Sequence, residues 1–356
     1  MVTGGGAVKA AIAAVAVVGR EAPSTRVRVT DWFDFLGIAD VDYLFHAGLG
    51  TIRVGQAWQM TPVLLAAERR VRRESQAKRQ RVLLSREAGI LSRGSIESAF
   101  LRNAGHSVYD FDDALFHDHV GARRAYGRPA KARRAASAAD VVVAGNEYLA
   151  NWAADYARDV RIIPSCVEPS QYTPKTSWDI DGPPTIVWLG SAGTEQFVEH
   201  FATELAEVHR RTAARLRIIS APRKVEHPLL APFVDRVTWS PSAAAEALAA
   251  ADVAIAPLDD SPYSRGKCAY KLLQYAAAAL PIVGSPVGAN QLALQRFDGL
   301  AVRTRDDWVD ALVSVVEEPS EVRCRRGQTA LESVQSRYSF GAWQGRWLDA
   351  MALPTR

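Results

Sequence analysis

The chain has 356 residues, too many for one ordinary core and suited to two domains of about 150 residues each. With 48% hydrophobic and 23% charged residues it is not a disordered chain, and its longest early apolar run, residues 10–19, is too short to span a bilayer and lacks a basic flank or cleavage site. A net charge of +4, from 43 basic and 39 acidic residues, gives no reason to expect a nucleic-acid partner, and three distant cysteines (Cys166, Cys268, Cys324) without CxxC spacing point to free thiols in a reducing, cytoplasmic setting.

Short apolar runs alternate with helical patterns along the chain. Strands are predicted at 15–19, 41–48, 81–85, 106–113 and 141–146, with helices between them that include 62–80 and 118–139. A further strand near 160–163 leads into a Pro-rich passage. Pro169, Pro174, Gly182, Pro183 and Pro184 mark a linker between domains. The pattern then starts again. Strands are predicted at 184–190, 215–221, 236–241, 252–258 and 281–288, with helices near 194–213, 242–251, 270–279 and 305–318 and a long terminal helical region. Continuous apolar strands alternating with helices imply parallel sheets covered on both faces. The expected architecture is α/β, with two Rossmann-like doubly wound domains facing a cleft. The first spans 1–172 and the second 173–337, and a terminal helix at about 338–356 packs back on the first. Ligands of such sheets sit at the carboxyl ends of the strands.

The most specific segment is SRGKCAYKLLQY, residues 264–275. Only seven of the 43 basic residues are lysines, yet Lys267 and Lys271 stand here beside Arg265. Cations at the amino end of a helix weaken an empty helix by a few tenths of a kcal/mol each. They have a reason if an anion docks there, held by the N–H groups of 268–270 and by Lys271 or Arg265. Gln274, one turn on, has an amide that can both donate to and accept from hydroxyls. A second anion loop is WLGSAGT, where Gly190, Ser191 and Gly193 follow a strand and precede a helix. A simple strand-to-helix turn explains that spacing equally well.

In the first half, VYDFDDALFHDH groups Asp110, Asp112, Asp113, His117, Asp118 and His119. Asp110 and Asp112 lie on one side of a strand and Asp113 near its end. Two readings stay open: contact with an acceptor, or carboxylates that pair with Arg26, Arg28 or Arg86 to brace strand-end loops. The histidines read as exposed helix-start residues. EAPSTRVRV reads as a loop after the first strand. Glu87 stands at another strand end and is an acceptor candidate. The Arg-rich runs 69–81 and 123–134 read as helical basic faces. Such a face either is simply solvated or rests weakly on anionic lipid at the inner face of a membrane.

The segment ADVAIAPLDDSPYSRGKCAYKLLQYAAAALPIVGSPVG resembles the donor-site segment of the family 4 glycosyltransferases, enzymes of the GT-B fold. EAPSTRVRV, VYDFDDALF, ADVVVAGNEYLA, RIIPSCVEPSQYTP and IVWLGSAGT resemble further family segments, in order from about residue 13 to 345. The resemblance implies transfer of a sugar from a UDP- or GDP-linked donor to an acceptor hydroxyl of a small natural product, lipid or glycan, with retention and with no metal or other cofactor. It places the donor diphosphate against Lys271, with Gly190 and Ser191 lining its loop and Gly193, Lys267, Cys268, Ala269 and Tyr270 around it. Gln274 stands where a carboxylate binds the ribose. Lys271, Arg265 and Arg26 are the implied catalytic cations, Arg26 reaching the leaving phosphate from across the cleft. The chain departs from the family at the Glu-x7-Glu pair, which here is Gly266 and Gln274, and Ala279 replaces a glycine. A nucleotide-sugar epimerase and a catalytically degenerate binding protein are the alternatives.

Overall fold

The computed structural model describes residues 11–46, 57–117 and 127–354. Its contacts divide the chain into two units, Met1–Ser165 with Gln344–Arg356, and Cys166–Trp343. The first division falls at 165/166, where the composition placed a boundary at 172/173, and the second falls inside the last helix.

The first unit contains β1 (Ile12–Ala16), α1 (Pro23–Thr25), a π-helical turn (Arg26–Thr30), α2 (Asp31–Phe35), β2 (Val41–Phe45), α3 (Ala57–Glu74), β3 (Arg79–Ser85), α4 (Ser95–Arg102), β4 (Ala104–Phe111), α5 (Arg128–Ala136), β5 (Val141–Ala144), α6 (Glu147–Ala154) and β6 (Val160–Ile162). Its six strands form one sheet in the order β2-β1-β3-β4-β5-β6, and every pairing is parallel. Both faces are covered, so the central strands are apolar at every position: β1 is IAAVA and β5 is VVVA, all buried.

Cys166–Trp343 holds β7 (Thr185–Leu189), α7 (Gln196–Glu199), α8 (Ala202–Thr212), β8 (Arg215–Ser220), β9 (Val234–Thr238), α9 (Pro241–Ala249), β10 (Val253–Ala256), α10 (Tyr270–Ala277), β11 (Ile282–Gly284), α11 (Ala289–Arg296), β12 (Leu300–Ala301), α12 (Arg305–Glu317), α13 (Ser320–Arg337) and the start of α14 (Phe340–Ala350). The sheet order is β12-β11-β10-β7-β8-β9. In both sheets the first strand lies inside, and the chain steps away from it in one direction and then in the other. The reversal falls between β1 and β3 in the first sheet and between β7 and β10 in the second. Such reversals leave a crevice at the carboxyl ends of the strands.

Several sequence expectations need correction. The first strand is residues 12–16, not 15–19. In an unbroken apolar run burial does not mark the ends, and the register against Val41 and Arg81 does. EAPSTRVRV is helical rather than a loop, with Pro23 at the first helical position, where its missing N–H costs nothing. The helix expected at 62–80 ends at Glu74, because Arg79 already belongs to β3. The 194–213 helix breaks into α7 and α8. Of 118–139, residues 118–126, with Asp118 and His119, lie outside the described residues.

Candidate functional site

The carboxyl end of β7 is tightly packed. A Cβ built on Gly190 would lie 2.5 and 2.6 Å from Trp188 ring atoms and 2.8 Å from Lys271 Cε. Glycine is therefore favoured here by the protein itself, because the buried Trp188 ring, with the Lys271 stem beside it, occupies the place where a side chain would stand. The Lys271 ammonium lies 5.3 Å from the Trp188 ring centroid, within reach of a cation–π attraction. Gly193 differs: a Cβ there would meet nothing within 4 Å, so it borders open space. Ser191 is exposed and accepts from the Thr194 hydroxyl through its carbonyl at 2.9 Å.

The turn before α10 is shaped in three steps. Ser264–Gly266 form a 3₁₀ turn, Lys267 is extended, and Ala269 caps the helix in the left-handed region at φ 55°. The helix thus starts at Tyr270 rather than near Cys268. Gly288, at φ +54°, packs beneath this turn, and a Cβ there would lie 2.3 Å from the Arg265 carbonyl oxygen. The Lys267 ammonium stands 4.7 Å from the Tyr263 ring centroid. Arg265 is half exposed and pairs with Asp260 at 2.6 and 3.1 Å, and that bond holds the Asp260 carboxyl below its usual range. The Cys268 thiol, buried, reaches the Gly266 carbonyl at 3.6 Å. Ala269 is buried and Tyr270 half-buried.

Gln274 departs from its expected role. It is only 5% exposed, and its amide donates to the Tyr172 hydroxyl at 3.0 Å. The group expected to meet a ribose instead ties α10 to the stretch that follows β6.

In the first unit the acidic residues brace the fold. Arg28 is 1% exposed, donates to both oxygens of Asp110 at 3.0 and 2.5 Å and to the Ile163 carbonyl at 3.0 Å. Asp110, 2% exposed, has no surface left for an acceptor. Asp112 and Asp113 pair with Arg86 at 2.6 and 2.7 Å. Glu87, also buried, is held by Lys131 at 3.2 Å and Arg128 at 3.0 Å. These geometries correct the acceptor-side reading of Asp110 and Glu87 in favour of bracing. Arg26 pairs with Asp31 at 3.6 Å, within its own helical stretch. Burial pushes the Asp31 carboxyl up to about 6, against the pull of Arg26. His117 is in a short 3₁₀ turn, its Nε2 2.7 Å from the Tyr148 hydroxyl.

The loop after β3 is gripped from behind. Glu97, fully buried, accepts from the N–H groups of Ala88 and Gly89, both at 3.1 Å. Glu68 accepts from Ile90 at 3.0 Å, Leu91 at 3.2 Å and His46 at 2.9 Å. Burial pushes the Glu68 carboxyl up, but these hydrogen bonds outweigh it and hold the group below its usual range. Lys131 donates to the carbonyls of Gly89 and Ile90 at 2.7 and 2.8 Å.

A family model described as Glycosyl transferases group 1 matches residues 183–318, all within the second unit. Among solved structures, the chain is similar to Anabaena Alr3699/HepE, in complex with UDP and glucose, at a TM-score of 0.69 and 11% identity, covering 96% of this chain and 99% of that one. It is similar to WaaG, a glycosyltransferase involved in lipopolysaccharide biosynthesis, at 0.68 and 13%, covering 95% and 99%. A mutant of S. aureus TarM, in complex with Fondaparinux, alpha-GlcNAc-glycerol and UDP, scores 0.57 at 11% identity over 76% of this chain, which spans only 55% of that protein. No curated protein is similar to it in sequence.

The fold is GT-B. The resemblance to family 4-like GT-B glycosyltransferases, drawn from the motifs, is borne out. Two residues of the second unit escaped the sequence reading. Tyr275, fully buried, accepts from the Leu189 N–H at 2.9 Å and donates to the Ile255 carbonyl at 3.2 Å. Its only sequence signal was a second tyrosine in a helix, YKLLQYAA, whose remaining residues beyond Lys271 and Gln274 are apolar. Glu195, 4% exposed, accepts from Arg236 at 3.1 Å and Arg223 at 3.3 Å. It lines an open pocket of about 380 Å³ with Gly193, Gln196, Glu199 and Arg223. Among the described residues no group of three His, Cys, Asp or Glu side chains could hold a metal ion, and no helix is long and apolar enough to cross a membrane.

Proposed function

We propose that the protein is a retaining glycosyltransferase that moves a sugar from a UDP- or GDP-linked donor to an acceptor hydroxyl on a small natural product, lipid or glycan. The observation that carries this reading is Lys271, laid across Gly190 and Trp188 at the β7/β10 reversal, inside the segment matched by the glycosyltransferase model. A diphosphate at that strand end meets the Lys271 ammonium and the amino end of α10, where backbone N–H groups favour an anion. Ser191 and Gly193 line its open side. Lys267 and Arg265, on the preceding turn, extend the positive field, Arg265 after exchange from Asp260. The acceptor hydroxyl attacks the anomeric carbon on the face from which the nucleoside diphosphate leaves. Catalysis then consists of positioning and of stabilising the departing charge, with the cations in the role a metal plays elsewhere. Arg26 is kept as a candidate for the leaving phosphate, in competition with Asp31.

A thermal-shift series with UDP, GDP, UMP and GMP tests the donor site, because a ligand bound only by the folded state raises Tm. A rise with either diphosphate and sugar transfer that persists in EDTA are expected. A chain that binds neither diphosphate at millimolar concentration is instead a degenerate GT-B binding protein. Gln274 turned to Tyr172, and Gly266 in place of a glutamate, favour that second reading. Conversion of the nucleotide sugar without acceptor would identify an epimerase.

The localisation at the inner face of a membrane rests on α3. Along it Arg69, Arg72 and Arg73 are exposed, and so are Val63 (50% exposed) and Leu65 (40%). Such a surface has weak affinity for anionic lipid. Sedimentation with phosphatidylglycerol vesicles, lost on adding salt or on replacing the three arginines by glutamine, is the expected result.

A further inference from the structure

The β7–β10 ladder stops short, and a side chain completes it. The paired residues are Val253 with Ile186 and Ala254 with Val187, and no pair follows. Alternation nevertheless assigns the next rung. Gly190 N–H donates to Ile219 on the β8 side at 3.0 Å, so Leu189 N–H faces β10. Ala254 N–H donates to Pro281 on the β11 side at 2.9 Å, so the Ile255 carbonyl faces β7. Leu189 N–H and Ile255 C=O are the donor and acceptor of one unmade ladder bond. The Tyr275 hydroxyl stands between them, accepting from the first at 2.9 Å and donating to the second at 3.2 Å.

A direct rung would bring the two strands to about 2.9 Å between N and O. The inserted hydroxyl takes the place of that direct bond and leaves neither group unsatisfied. The pairing ends there, at the reversal of chain order where a crevice is useful. A phenol suits this position, because burial pushes its pKa up and keeps it a neutral donor and acceptor. Tyr275 also lies on α10, four residues after Lys271 and so on the same face. One hydroxyl therefore holds the strand end that carries Gly190 and the helix that carries Lys271.

We propose that Tyr275 is the positioning residue of the donor site, a wedge that keeps β7 and β10 apart and sets Lys271 against the terminal phosphate of a nucleoside diphosphate. This rests on the donor reading above.

The test compares wild type with Tyr275→Phe, which keeps the ring and removes the wedge. Titration calorimetry measures affinity for UDP and for UMP, or for GDP and GMP where guanine is preferred. Amide hydrogen exchange follows Leu189. The expected result is a folded variant whose diphosphate Kd rises about tenfold while the monophosphate Kd changes less than about threefold, with altered exchange at Leu189. A purely structural role would weaken both ligands alike. A folded Tyr275→Phe with the wild-type ratio of diphosphate to monophosphate affinity overturns the proposal. If Tyr275→Phe does not fold, replacement of Tyr275 by p-aminophenylalanine restores a donor at the same point. That protein must fold and prefer the diphosphate, and failure to do so also overturns the wedge. A wild-type chain that binds neither UDP nor GDP refutes the donor reading itself, and this inference falls with it.

Discussion

In the first unit, Asp110, Glu87, Glu68 and Glu97 are all buried, and each is taken up by Arg28, Lys131 or main-chain N–H groups. In the second, Lys271 and Lys267 rest on the rings of Trp188 and Tyr263 at the opening of a helix. Both units are six-stranded parallel sheets with the same kind of reversal. They differ in where the charge at the strand ends goes. Carboxylates of the first unit hold its own loops in shape, whereas two lysines of the second lie against aromatic faces. Charge density alone therefore does not mark a site. The chemistry of whatever touches the charge does.

The sharpest way to break this contrast is Arg28→Ala. It leaves the Asp110 carboxylate buried and uncompensated, at a cost of about 3–5 kcal/mol, read from urea denaturation. Arg28→Met combined with Asp110→Leu should recover most of that loss. Lys271→Ala should do the opposite, lowering turnover about 10²–10³-fold with Tm near wild type, as loss of one charge-stabilising group does. Equal Tm losses in the two single variants would erase the distinction between brace and site. Gly190→Ala sharpens it, because the new methyl overlaps Trp188 and the Lys271 stem. It should cost about 1–3 kcal/mol of stability and weaken UDP binding in calorimetry.

The smallest effect concerns Asp31. Its carboxyl titrates near 6 in the folded chain, against about 3.9 when unfolded. Ionisation is thus disfavoured by folding: stability is full below about pH 4 and declines as pH rises toward and through 6. Asp31→Asn should raise stability at pH 7.5 by about 1–2 kcal/mol, after screening at this partly exposed position, and leave it unchanged at pH 3.5. Thermal melts at the two pH values check the sign.

The strands were legible because parallel strands covered on both faces are written as unbroken apolar runs, as in β5, β7 and β10. The packing of Lys271 against Gly190 was foreshadowed because that glycine and the cations of 265–271 are local signals. What stayed hidden was long-range. Arg28 and Asp110 are 82 residues apart, Gln274 and Tyr172 102, and no spacing announces such a pair. The role of Tyr275 was hidden differently: it depends on which carbonyl faces which N–H, and that is a matter of sheet order.

The gripped loop after β3 has an evolutionary consequence. Glu97, Glu68 and Lys131 bind the main chain of residues 88–91 and none of its side chains. The path of the loop is thereby encoded elsewhere, on α3, α4 and α5. Leu91, half exposed, and Ile90 can be replaced without touching what holds the backbone. Such a loop can change its chemistry by single substitutions while keeping its form, which makes positions 90 and 91 a natural place for a randomised library.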